Sequence, residues 1–156
     1  MILAIDFDGT LHMGIYPQIG IPMPYAIQMM KQLKADGHYI IINTCRSNGY
    51  LTEAINWLLS KGIPFDRVND NHPDEIATHS NNSRKVHADV YVDDRQVGGL
   101  PAWPEIYEYI ASLTPSQSCV GVQSEVMDIT FPYNFDYVKE LSKQAEQNDK
   151  DGIFHD

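Results

Sequence analysis

Cysteines, basic residues and long apolar runs are all scarce in this sequence of 156 residues. Two cysteines in a chain of this size do not indicate a disulfide scaffold, which favours a cytoplasmic location. The 11 Lys and Arg residues stand against 21 Asp and Glu, so the formal net charge is −10 and tight binding of a nucleic-acid backbone is not expected. No run approaches the roughly 18–20 apolar residues that span a membrane, and we expect no membrane partner.

Predicted strands and helices alternate along the sequence. Apolar runs predict strands at residues 2–5, 39–44, 65–68 and 89–93, and helical spacing predicts helices over 24–36, 51–61 and 103–113. The polar residues 69–82 predict a long loop, and residues 83–88 a helical turn. This alternation is typical of an α/β fold, a three-layer Rossmann-like parallel sheet with helices on both faces.

The apolar stripes of two helices give further predictions about the core. Leu58 and Leu59 belong to the predicted stripe of the second helix, and Leu113 to that of the last. Residues 1–125 are predicted to form the main domain. Residues 126–156 are predicted to be an acidic helical extension of it, with a helix near 135–147, and residues 118–122 form a candidate edge strand.

Three of the predicted strands end in polar side chains, namely Asp6 with Asp8, Thr44 with Arg46, and Asp93 with Asp94. Because parallel strands share one carboxyl edge, these groups should converge where open α/β sheets bind ligands. Four carboxylates at one edge repel one another unless a cation lies among them. Oxygen ligands that leave room for coordinated water favour Mg²⁺.

Four motifs, in this order, resemble those of the haloacid dehalogenase superfamily of phosphotransferases. They are Asp6-Phe7-Asp8-Gly9-Thr10, Thr44, Lys85, and the pair Asp93-Asp94. The resemblance implies a Mg²⁺-dependent phosphatase, a phosphoric monoester hydrolase that works through an aspartyl-phosphate intermediate on Asp6.

The resemblance also implies roles for the matching residues. Asp6 would be the nucleophile, and Asp8 the general acid and then the base. Thr44 would donate to a phosphate oxygen, and Lys85, or the adjacent Arg84, would balance charge at the nucleophile.

The remaining site predictions concern the metal and the substrate. Asp93 and Asp94 would bind Mg²⁺ together with Asp6 and Asp8. The turn at Gly9 and Thr10 would direct backbone N–H groups towards phosphate oxygens. Arg46 and Arg95 are predicted contacts for an anionic substrate.

The spacing of the motifs leaves no room for a cap domain. Residues 9–43 separate Asp8 from Thr44, and residues 45–84 separate Thr44 from Lys85, and predicted elements use both intervals. The site should therefore be open, with residues 11–23 and 69–82 as local walls or a second copy of the chain as a lid. An open site admits a phosphate on a small molecule or on a macromolecular end.

Several alternatives stay open at this point. Thr44-x-Arg46 and Asp94-Arg95 also resemble the phosphatase domain of polynucleotide kinase-phosphatases, which implies a polynucleotide 3′-phosphatase, and a nucleotidase-like activity is equally open. A non-catalytic phosphate-binding module that retains the fold is the alternative from a different class.

Other reactive residue types receive no role in the predicted chemistry. His72, His79 and His87 do not have zinc-ligand spacing and are interpreted as loop and surface residues. Cys45 has no evident neighbouring base, so no catalytic role is assigned to it.

Overall fold

The computed structural model describes residues 1–113. Its elements are β1 (Ile2–Ile5), α1 (Ala26–Ala35), β2 (Tyr39–Ile42), α2 (Asn48–Ser60), β3 (Arg67–Val68), α3 (Pro73–His79), β4 (Val90–Val92) and α4 (Trp103–Leu113). The four strands form one sheet in the order β3-β2-β1-β4, and every pairing is parallel. The predicted α/β class, with a Rossmann-like parallel sheet flanked by helices, is confirmed.

The register of the sheet aligns the ends of the strands that precede the acidic motifs. Ile5 on the central strand is level with Ile42 of β2 and with Val92 of β4. The N–H of Asp6 donates to the carbonyl of Val92 at 2.9 Å, extending this pairing by one residue. Asp6 and Asp93 therefore leave the same edge of the sheet side by side.

The core lies mainly on one face of the sheet. Leu3, Ile5, Ile40 and Ile42 point towards that face and pack with buried residues of α1, α2 and α4. Ala4 and Ile41 point to the opposite face, where they pack against Val86 of the segment between α3 and β4. This alternation follows from the two-residue period of a strand.

The region between β3 and β4 differs from its prediction. The polar stretch 69–82 contains a seven-residue helix, α3, and residues 83–88 do not form the predicted helical turn. Helix α3 has no buried residue, so it lacks the apolar stripe on which the sequence-based prediction depended. Its start is instead marked by Pro73 in the first turn and by the ring of His72, which accepts from the N–H of Asp74.

Two predicted core leucines are exposed. Leu59 is 63% exposed and Leu113 is 43% exposed, whereas Leu58 is fully buried. Helix α2 also begins at Asn48, three residues before its predicted start at residue 51. Ala54 and Leu58, four residues apart, lie on its buried side, and Leu59 faces outward.

Replacement of Leu58 by alanine should lower the free energy of unfolding by about 2–4 kcal/mol, because it removes buried methyl groups and leaves a cavity. Leu59→Ala, one residue along the same helix, is the matched control, since it makes the same chemical change at an exposed position. Denaturant unfolding of both variants checks this expectation. Equal losses would contradict the packing described for α2.

The remaining predictions fall outside the described residues. They are the strand at 118–122, the helix near 135–147 and the domain boundary between residues 125 and 126. Within residues 1–113, no helix has the length and apolarity needed to cross a membrane.

Candidate active site

A cleft of about 400 Å³ opens at the carboxyl edge of the sheet. It is lined by four acids, two arginines and two further residues: Asp6, Asp8, Asp93, Asp94, Arg46, Arg95, Tyr16 and Cys45. The cleft therefore gathers the polar groups that follow β1, β2 and β4. No domain is inserted between these elements within residues 1–113.

Three carboxylates of the cleft lie close enough to share one cation. Asp6, Asp93 and Asp94 each offer an oxygen, and these atoms lie within 4.8 Å of one another. Each of the three residues is partly exposed, so coordinated water could complete a site. Three carboxylate oxygens with open positions are a donor set that suits Mg²⁺, and the residues present therefore fit the predicted metal.

Asp6 is the most perturbed of these carboxyl groups. Burial raises the pKa of Asp6 to about 7, and the neighbouring charges of Asp93 and Asp94 act in the same direction. Hydrogen bonds from the N–H of Phe7 and the hydroxyl of Thr10 oppose the rise. A cation beside Asp6 would reverse the like-charge repulsion and favour its ionised form.

Thr10 is fully buried and is not among the residues that line the cleft. Its hydroxyl donates to Asp6 Oδ2 at 3.1 Å and accepts from the N–H of Asp94 at 3.0 Å. Its carbonyl accepts from Trp103 Nε1 at 2.9 Å. Thr10 thus links the Asp6 carboxylate and the Asp94 backbone to helix α4. The contact of its turn with a phosphate stays a prediction.

Gly9 lies against Asp94 with a backbone that disfavours any side chain. Its φ is +78°, and an added Cβ would lie 2.5 Å from Asp94 Oδ2. Gly37 has a similar φ of +85°, but no atom lies within 4 Å of where its Cβ would be. A side chain at Gly9 would both strain the backbone and displace Asp94, whereas a side chain at Gly37 would only strain the backbone.

We expect Gly9→Ala to weaken Mg²⁺ binding by tenfold or more, because the methyl group must push Asp94 out of the carboxylate cluster. Gly37→Ala should cost about 1 kcal/mol of stability through strain alone and leave Mg²⁺ affinity unchanged. Calorimetric titration of both variants with Mg²⁺ checks this. The same affinity in both would argue against a role for Asp94 at the metal.

Asp8 is ion-paired, and it is not one of the three clustered carboxylates, so its role as a metal ligand stays a prediction. Arg46 donates to it twice, from Nε to Oδ2 at 2.8 Å and from Nη2 to Oδ1 at 2.7 Å. The Arg46 side chain is fully buried, whereas that of Asp8 is 27% exposed. Arg46 therefore holds Asp8 from within the protein.

The guanidinium of Arg46 is fixed by several further contacts. Its Nη2 also donates to the carbonyl of Pro17 at 3.0 Å. Its guanidinium carbon lies 5.2 Å from the ring centroids of both Phe7 and Tyr16. Nη1 is buried and has no hydrogen-bond partner within residues 1–113. Arg46 lines the cleft, and its contact with an anionic substrate stays a prediction.

Thr44 is buried and is not among the residues that line the cleft, so its contact with a phosphate oxygen stays a prediction. Its hydroxyl accepts from the N–H of Arg46 at 3.2 Å. Asn69, which follows β3, clamps its backbone: the N–H of Thr44 donates to Asn69 Oδ1, and Asn69 Nδ2 donates to the Thr44 carbonyl, both at 2.7 Å. The sequence analysis missed Asn69, although a polar residue at a strand end was a usable signal.

The predicted basic residue of the site is not in the cleft. Lys85 is exposed, and its Nζ lies 5.2 Å from the ring centroid of Tyr91. The neighbouring Arg84 is also exposed and does not line the cleft. The reason is that Val86 anchors this segment in the opposite face of the sheet. Arg95 does line the cleft, and its N–H donates to Asp93 Oδ1 at 2.8 Å.

Residues 11–23, a predicted wall, supply Tyr16 to the cleft, and they also contain a buried histidine, His12, that the sequence analysis overlooked. No residue of 69–82 lines the cleft. His79 and His87 are exposed, as expected, while His72 packs on the ring of Tyr39 at 4.3 Å between centroids. Cys45 is an exposed free thiol on the lining of the cleft.

Comparison with solved structures gives a relative of this chain. No family model and no curated protein matches the chain. A solved structure described as that of a conserved protein coded by a locus of Bacteroides thetaiotaomicron is similar to it, with 40% sequence identity and a TM-score of 0.66. The similarity covers 73% of this chain and 92% of the Bacteroides protein.

Proposed function

The chain belongs to the same family as the conserved Bacteroides thetaiotaomicron protein, and from the geometry of its cleft we propose that it is a Mg²⁺-dependent phosphatase of the haloacid dehalogenase type. One observation carries the proposal. A cluster of Asp6, Asp93 and Asp94, close enough to share a cation, lies in the same cleft as a second, ion-paired carboxylate, Asp8. In this proposal Asp6 is the nucleophile and Asp8, two residues further along the chain, is the proton donor.

Asp6, Asp93 and Asp94 would hold the metal, which when bound supplies positive charge that offsets the charge of the phosphate. Asp6 attacks phosphorus as a carboxylate, forming a bond to phosphorus while the bond from phosphorus to the leaving oxygen breaks. The hydroxyl of Thr10 orients Asp6 from behind, through the 3.1 Å hydrogen bond. The product of this step is an aspartyl-phosphate on Asp6.

Asp8 acts as the general acid in the first step and as the general base in the second. In the first step it gives a proton to the leaving oxygen, so the alcohol departs neutral. In the second step it accepts a proton from water, whose oxygen attacks phosphorus and releases inorganic phosphate and the free Asp6 carboxylate. Its pairing with Arg46 supports this role, because the two hydrogen bonds from the guanidinium fix the orientation of the Asp8 carboxyl group.

In this proposal the substrate is a phosphate ester of a small molecule or of a macromolecular end, and a second copy of the chain in a homo-oligomer would supply a lid. We propose that the enzyme acts in the cytoplasm, where Mg²⁺ and phosphate esters are abundant.

A phosphatase screen with and without Mg²⁺ tests the proposal. Nucleoside monophosphates, sugar phosphates, phosphopeptides, 3′-phosphorylated oligonucleotides and p-nitrophenyl phosphate form the panel. Turnover of at least one ester that EDTA abolishes and Mg²⁺ restores is the expected result. Turnover of 3′-phosphorylated oligonucleotides alone would identify a polynucleotide 3′-phosphatase. Binding of Mg²⁺ and phosphate with no turnover of any ester would favour a non-catalytic phosphate-binding module.

Mg²⁺ affinity should depend on pH because Asp6, with its pKa raised to about 7 in the metal-free protein, must lose a proton when the metal binds. Below pH 7 the affinity should fall about tenfold for each unit of pH, and above pH 8 it should be constant. Titrations at pH 5.5, 6.5, 7.5 and 8.5 measure this slope. An affinity independent of pH over this range would show that Asp6 is not a ligand.

A further inference from the structure

His12 is a fully buried histidine that the chemistry above does not use. Its Nδ1 accepts from two backbone N–H groups, that of Gly14 at 2.9 Å and that of Gly20 at 3.4 Å. The ring lies at 4.6 Å from Phe7 and 5.8 Å from Trp57 between centroids, at steep angles to both. The imidazole is therefore fixed on one edge by hydrogen bonds and on its faces by aromatic contacts.

The hydrogen bonds of Nδ1 determine where the proton of the ring lies. A nitrogen that accepts cannot also carry the proton of a neutral imidazole, so the proton is on Nε2. Burial lowers the pKa of His12, which favours this neutral form. The Nε2 atom is buried and has no partner that meets hydrogen-bond geometry within residues 1–113.

The carboxylate nearest to this nitrogen is that of Asp8. His12 Nε2 lies 3.2 Å from Asp8 Oδ1, an electrostatic contact without hydrogen-bond alignment. Arg46 donates to the same oxygen from Nη2 at 2.7 Å, and to Oδ2 from Nε at 2.8 Å. Three nitrogens of two side chains thus surround Asp8 from the protein side, and its side chain is 27% exposed.

We propose that His12 is a positioning residue that holds the Asp8 carboxyl group in the orientation for proton transfer to the leaving oxygen. This inference rests on the proposed function of Asp8. A merely structural His12 would fill space between Phe7 and Trp57 and anchor the loop at Gly14 and Gly20. The two roles use different ring nitrogens, Nε2 for Asp8 and Nδ1 for the loop, and can therefore be separated by substitution.

Two variants distinguish the contact with Asp8 from the anchoring of the loop. The amide oxygen of asparagine occupies the place of Nδ1, so His12→Asn keeps the anchor of the loop but removes the donor to Asp8. The amide nitrogen of glutamine occupies the place of Nε2, so His12→Gln keeps the donor to Asp8. Leu58→Ala is the control for lowered stability, because it removes buried methyl groups without touching Asp8 or His12.

The readout is the dependence of kcat/KM on the leaving group. An alkyl phosphate needs a proton on its leaving oxygen, whereas p-nitrophenolate departs without one. His12→Asn should lose tenfold or more on an alkyl phosphate and less than threefold on p-nitrophenyl phosphate, and His12→Gln should recover most of the loss. Leu58→Ala should affect the two substrates equally. Equal losses for both substrates in His12→Asn would overturn the proposal.

Asp8→Asn separates failure of this inference from failure of the proposed function. If Asp8→Asn shows no dependence on the leaving group, Asp8 is not the acid and the proposed function is wrong in that step. If Asp8→Asn shows the dependence and His12→Asn does not, only the role of His12 is overturned. In the wild-type protein, ¹⁵N resonances of His12 should report a proton on Nε2, and a proton on Nδ1 would also overturn the proposal, whether or not the variants fold.

Discussion

Asp6→Asn should abolish phosphatase turnover, with a loss of about 10³-fold or more in kcat, because an amide oxygen does not attack phosphorus. The same substitution removes one of the three carboxylates that lie within 4.8 Å of one another, so Mg²⁺ affinity should fall as well. Steady-state assays with saturating Mg²⁺ separate the two losses. Turnover of an active substrate that survives Asp6→Asn would rule out the aspartyl-phosphate mechanism.

The same variant should be more stable than wild type in EDTA at pH 8. The pKa of Asp6 is raised to about 7 in the folded protein, above its value of about 3.9 in an unfolded chain. The folded state therefore binds the Asp6 proton more tightly, and its stability falls as pH rises between these two values and stays low above pH 7. Asparagine carries no charge to bury, and its oxygen can still accept from Thr10.

Thermal unfolding in EDTA at pH 4 and at pH 8 measures this effect. The unfolding temperature of Asp6→Asn should be higher than that of the wild-type protein at pH 8, and the difference should be small at pH 4. Asp74→Asn is the matched control, because it makes the same change in a side chain that is 91% exposed. A midpoint lower than wild type at pH 8 would contradict the burial described for Asp6.

Arg46→Met should be the most destabilising substitution in the cleft, with a loss of about 3 kcal/mol in the free energy of unfolding. It removes two hydrogen bonds to Asp8 and one to the carbonyl of Pro17. The Arg46 side chain is fully buried and Asp8 is only 27% exposed, so water can replace little of what is lost. Denaturant unfolding measures the effect.

A more exposed ion pair, Arg67 with Asp70, serves as the control for Arg46 with Asp8. Arg67 and Asp70 approach to 2.7 Å, but their side chains are 40% and 31% exposed. Arg67→Met should leave the unfolding midpoint nearly unchanged, since an exposed pair contributes little. In the double variant Arg46→Met with Asp8→Asn, the loss should be smaller than the sum of the single losses. Additive losses would mean that Arg46 and Asp8 do not interact.

Much of the fold could be predicted from sequence because the central strands are apolar on both faces. Ile2–Ile5 and Tyr39–Ile42 lie within the predicted runs, and α4 has the predicted bounds. The parallel order of the sheet then brings Asp6, Asp93 and Asp94 to one edge, as the motifs had indicated. A hydrophobic pattern that extends over a whole strand or helix is therefore sufficient to predict that element.

The errors arise where a single side chain depends on contacts from distant parts of the chain. Motif order predicts Lys85 in the site, but the burial of Val86 in the opposite face of the sheet determines where its neighbour points. Arg46 was predicted to contact substrate because it lies two residues beyond Thr44, and its pairing with Asp8, 38 residues away, was not predicted. His12 was overlooked because its burial depends on Phe7 and Trp57, which no local pattern connects to it.

The bond from Trp103 Nε1 to the carbonyl of Thr10 joins residues 93 positions apart. Every carboxylate of the cleft precedes Trp103 in the sequence, so a chain shortened to end at residue 100 would retain all of them. It would nevertheless lack the indole that fixes Thr10, and with it the support beneath Asp6 and Asp94. The smallest fragment able to carry the site is therefore set by helix α4 and not by the last acidic motif.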